Sequence, residues 1–460
     1  MVVRKTSGKS DNNYLLVSLF IQTLPFAYGK SVLTLLSGKK IGGEMVFQEL
    51  GAFGNSVRFE LPLLFFLILL LLGYRKWENN SFGLRDNIWF YVLLIFSFIA
   101  VVNPSNIFPT AALPLIAYVF QFLLIAKLFE YNFSMATIIK GLYDGLKVLT
   151  ILNLFLAICY PVLNIGIAAT LFKGEHALEW AQRRAGYASA VGIFGHPGPL
   201  ALFSLIAAIY FLACSFNSYN QRLSKYLILA NMFVILLTFS RTTYISSIIV
   251  FLLLFVVHKQ KKQLFSIRNI LIVTSLFALV VFILYLTPLS DVFLKTDAGD
   301  QIENRYAHWI LGYDMWNTSK LLGIGMNTHV YYMSTKLPIN LDSAIIAFLI
   351  RSPIHNIHMI ILAETGLLGI FTWLYFFVYN IGRSSKKAHG TNSASNILRL
   401  TYTGVLSAFF IYGTFGWTPF QPEIFSFGLF IGYFATSKKL VVQSKRIASI
   451  KKSKPAYLLS

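Results

Sequence analysis

Apolar residues in this chain fall in long continuous runs, separated by short polar and mostly basic segments. A half-buried helix or strand would instead alternate with a period of 3.6 or 2, so the runs predict elements apolar on every side. Runs long enough to cross a bilayer lie near 13–36, 61–74, 87–103, 111–128, 146–168, 199–214, 226–240, 242–257, 270–288, 355–380, 399–416 and 422–437. The pair flanking Ser240 and Arg241 reads either as two spans or as one broken element. The pattern therefore predicts an all-α polytopic integral membrane protein of about 12 transmembrane helices, with one large extracytoplasmic loop over 289–354. It divides into N-terminal transmembrane helices (1–168), a core with outer loops 169–198 and 289–354 (169–380), and C-terminal helices with a basic tail (381–460).

Composition agrees: 56% of the 460 residues are hydrophobic and only 12% charged, a balance that excludes an ordinary soluble domain. The net charge of +21 would point to nucleic acid in a soluble protein. Here the cations cluster between apolar runs, where they set topology and meet anionic headgroups, so the expected partner is the lipid bilayer and not nucleic acid. With the N-terminus inside, the inner segments and their flanks hold about 26 of the 39 Lys and Arg residues. Both termini are accordingly expected in the cytoplasm. The first apolar run lacks a small-residue cleavage site and reads as a retained span. Cys159 and Cys214 lie in or beside apolar runs without paired spacing, which argues against a disulfide framework or a zinc site. No nucleotide-binding or dinucleotide-binding fingerprint is present, and no cofactor or metal is expected.

Against that inward bias, the arginines expected on the outer side carry information. Arg183, Arg184, Arg241, Arg305 and Arg351 all fall near the predicted interface. A planar, permanently charged guanidinium suits phosphate oxygens, so several together could bind a lipid diphosphate; the alternative for each is snorkelling to headgroups. His355 stands at the outer end of the tenth run and, as a neutral imidazole, could take a proton from a sugar hydroxyl, although an interfacial histidine can equally be structural. On a continuous helix, Gly366 lies roughly 20° round from His355 and Gly369 roughly 40° the other way, giving a small-residue stripe for a neighbouring helix beneath the imidazole. His358, one turn deeper, reads as packing. Glu364 falls within the run as a hydrogen-bonded structural carboxyl or a proton-relay element. Trp309 and Trp316, in an outer segment of helical character, could stack on sugar rings.

The spacing His355-Asn356, nine residues, Gly366-Leu-Leu-Gly369 resembles the signature of the O-antigen ligase and polymerase family (the Wzy/WaaL superfamily). Gly192-Ile-Phe-Gly-His-Pro-Gly-Pro-Leu-Ala201, the Ser240-Arg241 turn, and Arg305 with Trp309 leading to Leu322-Gly-Ile-Gly325 are similar to the family in order and spacing, over about 170–380. The resemblance implies a GT-C-like, inverting, metal-independent membrane glycosyltransferase on the outer face of the bacterial cytoplasmic membrane. It implies an undecaprenyl-diphosphate-linked oligosaccharide donor and a saccharide or lipid A core acceptor, with a chain-length regulator as a further candidate partner. By motif position His355 takes the catalytic role, Arg305 that of the large-loop arginine, and Arg183 or Arg184 that of the earlier-loop arginine; seven residues separate Arg184 from Gly192. The aromatic- and Asn-rich outer loop favours a surface-polysaccharide repeat-unit polymerase over a ligase acting on lipid A core. A flippase that moves the lipid-linked saccharide without chemistry is the alternative of another class, though the spans hold few charges along a passage.

Overall fold

The computed structural model describes residues 13–27, 60–73, 88–106, 109–163, 189–260, 298–335, 353–387 and 393–437. These residues form helices and turns, with no strand among them. In chain order the helices are α1 (Tyr14–Thr23), α2 (Glu60–Gly73), α3 (Ile88–Val102), α4 (Leu113–Asn132), α5 (Met135–Leu163), α6 (Pro197–Phe216), α7 (Gln221–Leu237), α8 (Arg241–Gln260), α9 (Ala298–Thr318), α10 (His329–Thr335), α11 (Ile357–Lys387), α12 (Ser393–Gly413) and α13 (Pro422–Thr436). Five of them, α4, α5, α6, α8 and α11, carry stretches long and apolar enough to cross a membrane. The chain is an all-α polytopic membrane protein. The span expected at 270–288 lies outside the described residues.

α6 is the axis of the bundle. All its residues are buried except Leu212 and Phe216, which are part-buried, as befits a helix apolar on every side. α7, α8 and α12 pack on it, α1 lies along α5, α2 along α4, and α9 along α11. The outer helices turn bare apolar side chains away from the bundle, among them Leu71 (80% exposed) and Val101 (83%). In water such surface would drive aggregation, whereas in hydrocarbon it is the ordinary solvent-facing face. Inside, Glu130 of α4 is tied by Lys127 Nζ (3.0 Å), the Tyr433 hydroxyl (2.8 Å) and the Ser437 hydroxyl, so the carboxylate joins the ends of α4 and α13 and is not left bare.

The expected pair around Ser240 is two helices. The Thr238 hydroxyl donates to the Ile235 carbonyl (2.7 Å) and accepts from the Ser240 amide (3.3 Å), while Phe239 takes the left-handed conformation (φ 51°). That turn starts α8 at Arg241. One expectation fails: the segment after His355 is not one straight helix. α11 begins only at Ile357, and Gly366 interrupts it with φ 62° and ψ −160°, a region open in practice to glycine alone. His355, Gly366 and Gly369 therefore share no helical stripe.

A loop fills the break. The amides of Ile324 and Gly325 donate to the carbonyls of Ala363 (2.9 Å) and Glu364 (3.1 Å), and those of Leu367 and Leu368 donate to Lys320 (2.9 Å) and Leu321 (3.2 Å). Backbone groups freed by the interrupted helix thus find partners in the 320–325 segment, as burial in a membrane bundle requires. Asn103, just past α3, holds the same loop by donating to the carbonyls of Leu322 (3.0 Å) and Gly323 (2.9 Å).

Candidate active site

Helix termini converge at one end of the bundle, and chemically capable side chains converge with them. His355 sits on the short connection before α11. Asn356 caps that helix: its Oδ1 accepts from the Met359 amide (3.0 Å) and its carbonyl from the Ile360 amide (3.0 Å), so the residue beside His355 fixes where the helix starts. The His355 imidazole is part-buried and lies over that of His308 in α9, with ring centres 5.2 Å apart, planes 11° from parallel and the two Nδ1 atoms 3.3 Å from each other. One Nδ1 must carry a hydrogen and the other a lone pair for that contact to attract.

Arg305 precedes His308 by three residues and so projects from the same face of α9. Burial pushes the Arg305 pKa below its ordinary value; the Tyr412 phenol opposes that and the like charge of Arg241 adds to it. A guanidinium remains charged even so. Arg241 is the first residue of α8, the end at which a helix least favours a cation, so its place there is set by something other than helix stability. Near them, His196 caps α6 by accepting from the Gly198 amide at its Nδ1 (3.0 Å), and the hydroxyls of Tyr412 and Thr418 meet at 3.2 Å beside Gly198.

The pKa of His355 is brought down to about 3, first by burial and then by the neighbouring His308, Arg305 and His196; the Pro353 carbonyl, which accepts from the ring, pulls the other way. At neutral pH the imidazole is uncharged and able to take a proton. Arg305 acts on it, Arg241 is near enough to act on Arg305, and Arg305 has no ion pair among the described residues, so the surroundings are cationic and favour an anion. No three of His, Cys, Asp and Glu among the described residues are arranged to hold a metal ion.

Residues 226–374 match the family model described as O-antigen ligase. That segment is similar to the O-antigen ligase family. No curated protein matches the chain. The matched segment spans Arg241, Arg305, His308, His355 and Glu364, whereas His196 and Tyr412 lie outside it.

Of the residues expected at the site, His355, Arg305 and Arg241 come together. Asn356 supports them as a cap. Gly366 and Gly369 lie further along α11, where Gly366 forms the break described above. Trp309 is 37% exposed on α9, next to His308 in sequence. Arg183, Arg184 and Arg351 lie outside the described residues. His308, His196 and Tyr412 had no place in the sequence-based site. For His308 a signal existed: its i, i+3 spacing from Arg305 puts both on one helix face. His358 packs as expected, its Nδ1 accepting from Trp373 Nε1 (3.3 Å) and its Nε2 donating to the Phe410 carbonyl (3.2 Å).

Proposed function

We propose that the chain is a membrane glycosyltransferase that passes a glycan from undecaprenyl diphosphate to a sugar hydroxyl at the outer face of the bacterial cytoplasmic membrane, and that it acts as a repeat-unit polymerase of a surface polysaccharide. The observation that carries this reading is the uncharged His355 imidazole held close to Arg305, itself close to Arg241, within the family segment. In this reading the single ring hydrogen of His355 sits at Nδ1, facing His308 and the Pro353 carbonyl, and Nε2 keeps its lone pair for the acceptor. Nε2 takes the hydroxyl proton as the acceptor oxygen bonds to the anomeric carbon, and the bond from that carbon to the diphosphate oxygen breaks on the opposite face. Attack from that side inverts the anomeric configuration. The electron pair leaves on undecaprenyl diphosphate, whose growing charge Arg305 and Arg241 stabilise without a metal ion. The positive-inside bias supports the placement of this end of the bundle outside the cytoplasm.

A second reading, transfer of the finished glycan to a lipid A core, is favoured by the description of the matched family model as a ligase. Proteoliposomes containing the full chain separate the two when given lipid-linked repeat units with and without lipid A core. Products that lengthen without the core support the polymerase; transfer seen only with the core assigns the ligase; no new glycosidic bond in either case overturns the glycosyltransferase reading. In the same assay Arg305→Gln, which removes one cation from the site, is expected to raise the KM for the lipid-linked donor about 10-fold or more.

A further inference from the structure

Glu364 lies in the first half of α11, 7% exposed, in a span where a bare carboxylate would be costly. It is bound at both oxygens. Oε2 accepts from the Asn327 amide (2.8 Å), and Oε1 from the amides of Thr328 (2.8 Å) and His329 (3.1 Å) and from the His329 ring at Nδ1 (2.6 Å). Three of these partners are backbone N–H groups, which can only donate, so the carboxyl acts as an acceptor throughout. His329 is completely buried, and its other nitrogen, Nε2, accepts from the Ile354 amide (3.4 Å). An imidazole that accepts at Nε2 carries its hydrogen at Nδ1, and that hydrogen points at Glu364. The two hydrogen bonds of one ring therefore fix each other, and they end on the residue immediately before His355.

We propose that Glu364 and His329 are positioning residues for His355: through the Ile354 amide they hold the Pro353–His355 connection so that the imidazole stays over His308. The proposal rests on the reading of His355 as the base. Glu364 itself is placed by the break at Gly366, since the loop that docks there carries Asn327 to His329 onto its carboxylate. Neither residue needs to touch substrate. The 2.6 Å contact, charge-assisted and dry, is the stronger link, and the 3.4 Å contact to Ile354 is the longer one on which the imidazole's placement depends.

Two substitutions at position 329 separate positioning from mere loop support. In His329→Asn the amide stands near the place of Nδ1 and can still donate to Glu364, but it does not reach Ile354. In His329→Gln the amide stands near the place of Nε2 and can accept from the Ile354 amide. With the full-length protein in proteoliposomes and lipid-linked glycan extracted from source cells lacking this chain, His329→Asn is expected to lose about 10- to 100-fold in kcat with less than about threefold change in donor KM. His329→Gln should retain most of the rate. Glu364→Gln, which faces an NH2 against N–H donors, should resemble His329→Asn if it folds; if it does not, the pair at 329 decides. In a His355→Ala background the residual rate should be indifferent to His329→Asn, because positioning has no object once the imidazole is gone. The reverse order of the Asn and Gln variants, or a loss confined to KM, overturns the relay. A full rate in His355→Ala overturns the base reading instead, whereas a dead His355→Ala beside a full-rate His329→Asn overturns the relay alone.

Discussion

His355→Ala is expected to lower the rate of glycan transfer by about 10³-fold, the middle of the range over which a positioned general base contributes. Donor affinity should be nearly unchanged, because Arg305 and Arg241 remain, and the variant should accumulate in membranes like the parent. Turnover of lipid-linked glycan in proteoliposomes, measured with the donor KM, checks both halves. The pH dependence carries the sign of the surroundings. In the free protein burial, His308, Arg305 and His196 all disfavour the imidazolium, so the ring stays neutral as pH falls through 6.5 and protonates only near 3. The acid limb of kcat/KM due to this group should therefore lie far below 6.5. Once a diphosphate occupies the site, its negative charge opposes the arginines and raises the imidazole pKa, so the acid limb of kcat should lie at higher pH than that of kcat/KM. Coincident limbs near pH 6.5 would show that His355 is solvated in the working protein and would undo the account of the site.

His355 and Arg305 were legible in the sequence because each breaks a strong local pattern. The histidine opens an apolar run, and the positive-inside bias assigns the arginine's segment to the side where cations are scarce. The helices were legible for the same reason, since the apolar runs are long and the bundle adds little to the choice of helix. What was not legible is contact between segments remote in the chain. His329 and Glu364 stand 35 residues apart, and neither has a local feature that names the other. Glu364 read as a hydrogen-bonded carboxyl, and it is one, but its partners belong to a loop whose docking no periodicity records. Hydropathy also runs smoothly through Gly366, so the break in α11 is invisible to it. A glycine chosen for close helix packing and one chosen for a positive φ look alike in sequence; only the 320–325 segment tells them apart.

Gly366→Ala should consequently be severely damaging, although it touches no reacting group. Its φ of 62° with ψ near −160° costs an L-residue about 1–3 kcal/mol. The added Cβ would also meet the carbonyl group of Leu321 and, at 2.6 Å, the nitrogen of Leu322. These are backbone atoms held by the hydrogen bonds from Leu367 to Lys320 and from Leu368 to Leu321, so they cannot turn aside as a flexible side chain could. Relief requires α11 to straighten or the 320–325 loop to leave, and either removes buried backbone hydrogen bonds at about 1 kcal/mol each. The sum is a loss of roughly 3 kcal/mol or more, enough to matter in a marginally stable fold. Gly369→Ala offers the contrast. Its Cβ would meet the Thr365 side chain, both at the hydroxyl and at the Cβ, and Thr365→Gly in the same chain removes both. Thermal melting of the purified protein in detergent should therefore rank Gly366→Ala well below Gly369→Ala, with the Gly369→Ala and Thr365→Gly double variant recovering part of the loss of Gly369→Ala. Activity should follow the same order, since loss of the docked loop releases Asn327 to His329 from Glu364 and frees the connection that carries His355. A Gly366→Ala protein that melts and turns over like the parent would mean that the break in α11 holds nothing in place.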